Sequence, residues 1–253
     1  RLIHVHPDPN ELNRTYRTDL AICAEPSEFW DTVGRFFPPR QRSGAAEAHA
    51  EYLAWSTPEP RPGVRLDLGM VVLAMRGQLP ADSIICNGAG NFSGWWHRYW
   101  RYAGPGTQLA PTAGAMGYGL PAAVAAALRR PDRCVVAVCG DGDLLMNGQE
   151  LATAVQHGCS ILVIVVDNGG YGTIRMHQER AFPGRVSATA LRNPDFAALA
   201  RAYGCWAETV ERTDDFAPAF ARAQVQGGVR LLHLKTDIEE ITPATTLSEI
   251  ARR

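Results

Sequence analysis

Two uninterrupted apolar runs constrain this chain more than any other feature. Residues 134–139 read CVVAVC and residues 161–166 read ILVIVV, without a charged or amide side chain in either. A strand with one wet face alternates apolar and polar residues, whereas a strand that is apolar throughout is covered on both faces. Between the runs, residues 144–157 have helical spacing, with Leu151 and Val155 on one face. Two buried strands joined through a helix require a parallel crossover, and hence a parallel sheet with helices on both sides.

The same alternation extends over most of the chain. Helices are expected at 66–79 and 120–128, a short strand at 83–86, and further strands at 205–210 and 229–234. Asn193 and Pro194 predict an N-cap and an N1 proline for a helix over 195–203, which Gly204 ends. The expected fold class is α/β, a doubly wound parallel sheet with helices on both faces, occupying 64–253 with a C-terminal tail. Residues 1–37 hold two short strands and a helix opening at Pro26 and running to Phe37, too little to bury a core of their own. They read as a short α/β fragment of another domain. Residues 38–63 carry seven prolines or glycines around an Ala-rich helical turn and read as a linker. A start at Arg1, inside a strand, suggests a fragment.

Composition removes several functions. Lys+Arg 25 against Asp+Glu 26 leaves no excess cation for nucleic acid or an anionic membrane. No apolar stretch reaches the roughly 18 residues of a membrane span, and no signal peptide opens the chain. Lys235 is the only lysine, so Schiff-base or P-loop chemistry has almost no candidate. Six cysteines without a C-x-x-C pair read as small buried hydrophobes of a reduced, cytoplasmic protein.

In a sheet of this kind, ligands lie beyond the carboxyl ends of the strands. The first apolar run ends in Gly140-Asp141-Gly142-Asp143, where glycines let the backbone turn sharply and approach an anion. The helix that follows offers free N–H groups, a seat for a diphosphate. The second run ends in Asp167-Asn168-Gly169-Gly170-Tyr171-Gly172. A carboxylate from one loop, with an amide oxygen and a glycine carbonyl from its neighbour, forms the all-oxygen set that Mg2+ takes when a phosphate completes its shell. Alone, G-D-G is a common turn. Asn168, however, lies 27 positions after Asp141, with one helix and one strand between, which brings both to the same sheet edge.

This combination resembles the thiamine-diphosphate-dependent enzymes, specifically the acetolactate synthase-like group, whose signature is G-D-G followed after about 25–30 residues by N-N. By that resemblance Asp141, the side chain of Asn168 and the carbonyl of Gly170 would hold Mg2+. The backbone around Gly140, Gly142 and Asp143 would meet the diphosphate of thiamine diphosphate. Gly90, Asn91 and Tyr171 would also border the cofactor. The segment 111–121 (PTAGAMGYGLP) resembles the loop beneath the thiazolium ring. Gly114 would offer its carbonyl to the cofactor's amino group, and Met116 would be the apolar wedge that keeps the cofactor bent. Asp167 stands where the group has its first Asn. Residues 1–37 resemble the tail of the central domain and 64–240 the diphosphate-binding domain.

The resemblance implies a 2-keto acid decarboxylase or carboligase, a homodimer or homotetramer when complete. It matches no residue here to the glutamate that the family's pyrimidine-binding domain supplies, so the isolated chain is expected to be inactive. The family's substrate-selecting tryptophan has no counterpart in 171–179, where Arg175 and His177 remain open. His97 is a candidate substrate contact; Trp95, Trp96 and Trp100 are read as exposed and seeking a partner surface. His4 and His6 read as structural, and Glu150 as a solvated or capping residue. Two other readings stand beside this one. A nicotinamide-binding Rossmann protein would need G-x-G-x-x-G, but Gly88-x-Gly90 has Ser93 at the third position and no acidic residue follows before Asp132. A non-catalytic module with a family-like fold would not need to keep Asp141 and Asn168.

Overall fold

The computed structural model describes residues 1–37 and 44–252, so the first six residues of the expected linker lie outside it. The chain forms two compact units, Arg1–Glu51 and Tyr52–Arg253, which divide within the expected linker. In the first unit β1 (Ile3–His6) and β2 (Leu20–Cys23) pair in parallel, with Ile3 opposite Leu20. Helix α1 (Pro26–Val33) starts on its N1 proline and a Glu25/Glu28 capping box. It ends earlier than expected, since Gly34–Phe36 tighten into a 3-10 turn. Helix α2 (Ala45–Trp55) spans the boundary between the units.

The second unit carries the six-stranded, all-parallel sheet. In chain order it runs α3 (Leu68–Gln78), β3 (Ile84–Asn87), α4 (Ser93–Tyr99), β4 (Gln108–Leu109), α5 (Gly119–Arg129) and β5 (Val135–Gly140). There follow α6 (Asp141–Asn147), α7 (Glu150–Gln156), β6 (Ile161–Asp167), α8 (Gly172–Ala181) and α9 (Phe196–Ala202). The unit closes with β7 (Trp206–Val210), α10 (Thr213–Gln224), β8 (Val229–Lys235) and α11 (Leu247–Ala251). The strand order is β4-β3-β5-β6-β8-β7.

The apolar runs behave as their composition dictates. Val135, Ala137, Cys139, Ile161, Val163 and Val165 face one core, where Leu120, Leu151 and Phe196 of the helices meet them. The alternate residues Val136, Val138, Leu162, Ile164 and Val166 face a second core with Val72, Met75, Phe216 and Phe220. A period-2 strand with apolar residues at every position thus feeds two helical layers.

Three local expectations are corrected. The single helix over 144–157 is two helices, α6 and α7, parted around Gly148. Leu151 is buried but Val155 is exposed, so Leu151 and Ala154 form the inner face. Trp95, Trp96 and Trp100 are 2%, 0% and 3% exposed and belong to the second core, not to a surface. Among the cysteines Cys23 is exposed, whereas Cys86, Cys139, Cys159 and Cys205 are buried. Among the described residues, no helix is long and apolar enough to cross a membrane.

Candidate functional site

The chain passes from β3 outward to β4 and then returns to place β5 on the other side of β3. That reversal opens a crevice beyond the carboxyl ends of β3 and β5, the usual place for a ligand in such a sheet. A cavity of about 270 Å3 lies there. Its walls come from four segments: the loop after β3, the loop before α5, the turn from β5 into α6, and the loop from β6 into α8.

The eleven residues that the resemblance assigned to the metal or the cofactor all line this cavity. Gly90 and Asn91 come from the first segment, and Gly114 and Met116 from the second. Gly140, Asp141, Gly142 and Asp143 form the third, while Asn168, Gly170 and Tyr171 come from the fourth. Helix α6 starts on Asp141 itself, with Gly140 as its N-cap, so the Gly142 and Asp143 amides lie in its first turn. A Cβ at Gly142 would sit 2.7 Å from the Tyr171 ring, so any side chain there would displace Tyr171. Gly114 has a φ of +65° and open space where a Cβ would point. Met116 is 37% exposed.

The oxygen atoms are tightly organised. Gly142 N–H donates to Asp141 Oδ1 at 2.9 Å. Gly170 N–H donates to Asp141 Oδ2 at 3.2 Å and to Asn168 Oδ1 at 3.1 Å. A carboxylate oxygen and a carboxamide oxygen therefore meet at one amide. Burial pushes the Asp141 carboxyl up to about 6, against the lowering effect of the Asn193 hydrogen bond. Burial likewise raises Asp143, whose Oδ1 accepts from Gly117 N–H at 2.8 Å and Ala89 N–H at 3.2 Å. For Asp167 burial works upward too, but hydrogen bonds from His233, Asn193 and Gly169 outweigh it and hold the group below the usual carboxylate range. The donor set fits a hard divalent cation with a phosphate partner. It does not fit a transition metal held by several His, Cys or acidic groups, since no such cluster of three occurs among the described residues.

Sequence reasoning missed three contributors. Asn193 does not cap α9; Asp195 does, accepting from Ala198 N–H at 3.0 Å, and Asn193 turns toward Asp141 and Asp167 instead. His233, fully buried on β8, places Nε2 at 2.8 Å from Asp167 Oδ2. Thr173 on α8 accepts from Asn91 N–H and donates to Asn91 Oδ1, both at 3.0 Å, which locks the loop after β3. Other candidates fall elsewhere. His97 lies 3.3 Å from Asn87 Oδ1 and does not line the cavity. Arg175 is held by Glu179 at 2.6 Å, and His177 is exposed. His4 and His6 lie in the first unit with their rings tilted at 57° and centroids 6.0 Å apart.

Residues 88–234 match the family model described as thiamine pyrophosphate enzyme, C-terminal TPP binding domain. The chain is similar to the acetolactate synthase isozyme 2 large subunit of Escherichia coli (strain K12), 29% identical over 248 residues, which are 96% of this chain and 44% of that protein. It is 30% identical over 240 residues to the acetolactate synthase large subunit of Corynebacterium glutamicum, covering 88% of this chain and 38% of that one. The solved thiamine diphosphate-dependent 4-hydroxybenzoylformate decarboxylase of Rhodococcus jostii RHA1 superposes with a TM-score of 0.78 at 27% identity, over 94% of this chain and 44% of its own. The chain thus spans less than half the length of these relatives.

Proposed function

The chain belongs to the thiamine pyrophosphate enzymes, and from that premise we propose that its cavity seats the Mg2+-bound diphosphate of thiamine diphosphate for conversion of a small 2-keto acid. The observation that carries this reading is the meeting of Asp141 Oδ2 and Asn168 Oδ1 at the Gly170 amide, on the wall of the cavity. Asp141, Asn168 and the Gly170 carbonyl hold the cation. The amides of the Gly140–Asp143 turn meet the diphosphate, and Gly90, Asn91 and Tyr171 border it. Gly114 would offer a carbonyl and Met116 apolar support to the cofactor's ring.

When bound, thiamine diphosphate supplies a nucleophilic carbon and an electron sink, which a 2-keto acid needs to lose carbon dioxide. The chain's own part would be to clamp the diphosphate through the Gly140–Asp143 turn and to orient the cofactor through Gly114 and Met116. Acetolactate synthase-like carboligation or simple decarboxylation both follow from such a site. The half of the site that carries a proton-donating glutamate belongs to another domain, supplied by a second subunit in a homodimer or homotetramer. Residues 1–37 are the end of a central domain, 38–63 the linker, and 64–253 the cofactor-binding domain. These 253 residues alone bind cofactor without turnover.

Calorimetric titration with thiamine diphosphate, with and without Mg2+, tests the reading. Binding is expected only with Mg2+, and Asp141→Ala should abolish it. Binding indifferent to both, or steady 2-keto acid consumption by the isolated chain, would overturn the corresponding part of the proposal.

A further inference from the structure

We infer that Asn193 is a positioning residue for the cation site: its side-chain amide holds the Asp141 carboxylate in the orientation that presents it to the metal. The inference rests on the reading of Asp141 as a metal ligand. Asn193 Nδ2 lies 2.7 Å from Asp141 Oδ2 and 2.7 Å from Asp167 Oδ1. Both hydrogens of one NH2 group are therefore spent on two carboxylates from adjacent strand ends. The orientation of the amide follows from the chemistry, because the flipped rotamer would set an oxygen against two acceptor-only groups. Its own Oδ1 is buried without a partner in consequence. An orphaned acceptor costs free energy, and here that cost accompanies the bridge.

The backbone fixes where this amide stands. The segment before Asn193 pairs with the loop after β6: Ala190 bridges Gly170, Tyr171 N–H donates to Thr189 O at 2.9 Å, and Leu191 N–H donates to Gly169 O at 2.8 Å. On the other side Asp195 caps α9. Asn193 is thus tied both to the loop carrying Asn168 and Gly170 and to a helix start. With the Gly170 amide also on Oδ2 and the Gly142 amide on Oδ1, the carboxylate is held at both oxygens, and one lone-pair position on Oδ1 stays open for the cation. Without the bridge, the like charges of Asp141 and Asp167 would face each other and turn apart. Hydrogen-bonding partners of metal-ligating carboxylates typically change metal affinity by about 10–100-fold when removed.

The test titrates Mn2+ into the protein with saturating thiamine diphosphate, following the electron paramagnetic resonance signals of free and bound Mn2+. Wild type should bind, and Asp141→Ala should not. Asn193→Ala is expected to weaken Mn2+ binding by about 10–100-fold. Asn193→Asp, equal in size but with an oxygen where the N–H donor was, should weaken it at least as much. The bound-Mn2+ line shape should broaden in both variants, as loss of packing alone would not cause. Should Asn193→Asp fail to fold, Asn193→Ser carries the test: its shorter side chain spans neither carboxylate, so Mn2+ affinity should fall by the same factor of about 10–100. Wild-type affinity and line shape in Asn193→Asp or Asn193→Ser would overturn the inference and leave the cofactor reading standing. Absence of Mn2+ binding by wild type would overturn both.

Discussion

Asp143 Oδ1 accepts the Gly117 amide at 2.8 Å, across 26 positions of sequence, and the same oxygen accepts Ala89 N–H at 3.2 Å. One buried carboxylate so ties together the loop before α5, the loop after β3 and the first turn of α6, three of the four walls of the cavity. Removing it leaves two amides without an acceptor, at roughly 1–3 kcal/mol each, partly offset by release of a buried charge. Asp143→Ala should therefore lower stability by about 2 kcal/mol. Asp143→Asn keeps an acceptor oxygen and should cost under about 1 kcal/mol. Urea unfolding of both variants decides; equal losses would show that charge, not acceptance, matters at this position.

Gly88 backs onto the same carboxylate. A Cβ built there would fall 1.9 Å from Asp143 Oδ2, and the backbone cannot retreat because Gly88 N–H is bonded to Val138 O at 2.9 Å. Gly88→Ala is expected to push the Asp143 side chain off its two amides and cost about 2–3 kcal/mol. In an Asp143→Ser background the obstacle is gone, so the same change should cost markedly less. A double-mutant cycle measures the coupling, and additive losses would contradict the proposed clash.

The sheet was legible from composition because its central strands are apolar on both faces, which leaves a parallel sheet as their only stable setting. The Gly140–Asp143 turn and Asn168 were legible from their place at adjacent strand ends, whereas Gly90, Asn91, Gly114, Met116 and Tyr171 entered through the family resemblance. What escaped were residues whose role depends on the meeting of distant segments. Asn193 stands 52 positions from Asp141, and its Asn-Pro-Asp context reads equally well as a helix cap. Only the competition with Asp195 for that cap, visible in three dimensions, frees its amide. His233 sits among Leu231, Leu232 and Leu234 in β8, and a polar residue within that leucine stretch was the available signal. Trp95, Trp96 and Tyr99 are spaced as one helical face, which the expectation of a partner surface overlooked; that face packs on the sheet.

The buried tryptophans carry a stability prediction. Trp96 is fully enclosed in the second core, and its Nε1 has no partner. Trp96→Ala should lower stability by about 3–5 kcal/mol, the range for large aromatic deletions. Trp96→Phe retains much of the apolar contact and relieves the orphaned N–H, so its cost should be well below that of alanine. Chemical unfolding followed by circular dichroism measures both, and a mild effect of Trp96→Ala would contradict enclosure of this ring.

The cysteines divide by burial. Burial pushes the Cys86 thiol up to about 12 and the Cys205 thiol up to about 11, whereas Cys23 is exposed with its Sγ 3.3 Å from Pro7 O. The thiolate is the reactive form, and at pH 8 a thiol of pKa 12 is ionised in only about one part in ten thousand. N-ethylmaleimide at pH 8 should therefore modify Cys23 in the native chain and reach Cys86 and Cys205 only after unfolding. Mass spectrometry of native and denatured samples reads the difference. Native labelling of Cys86 would show that the β3 strand end opens to solvent.

Asp167 offers the sharpest case of two side chains constraining each other. Its Oδ2 faces His233 Nε2 at 2.8 Å, and an ionised carboxylate can only accept, so Nε2 carries the proton. His233 Nδ1 has no hydrogen-bond partner and lies 4.0 Å from Asp195 Oδ1. In Asp167→Asn the amide oxygen can keep the bonds from Asn193 and Gly169, which leaves its NH2 pointing at His233 Nε2. The imidazole then has to accept at Nε2 and shift its proton to Nδ1, toward the Asp195 carboxylate. The exchange preserves every bond on the Asn193 side, so Asp167→Asn should cost less than about 1.5 kcal/mol and leave cofactor binding close to wild type. Asp167→Ala strands the His233, Asn193 and Gly169 donors and should cost several times more. Nitrogen-15 spectra of labelled histidine report the tautomer directly: the His233 proton should move from Nε2 to Nδ1 in Asp167→Asn. An unchanged tautomer would mean that residue 167 does not set the state of His233.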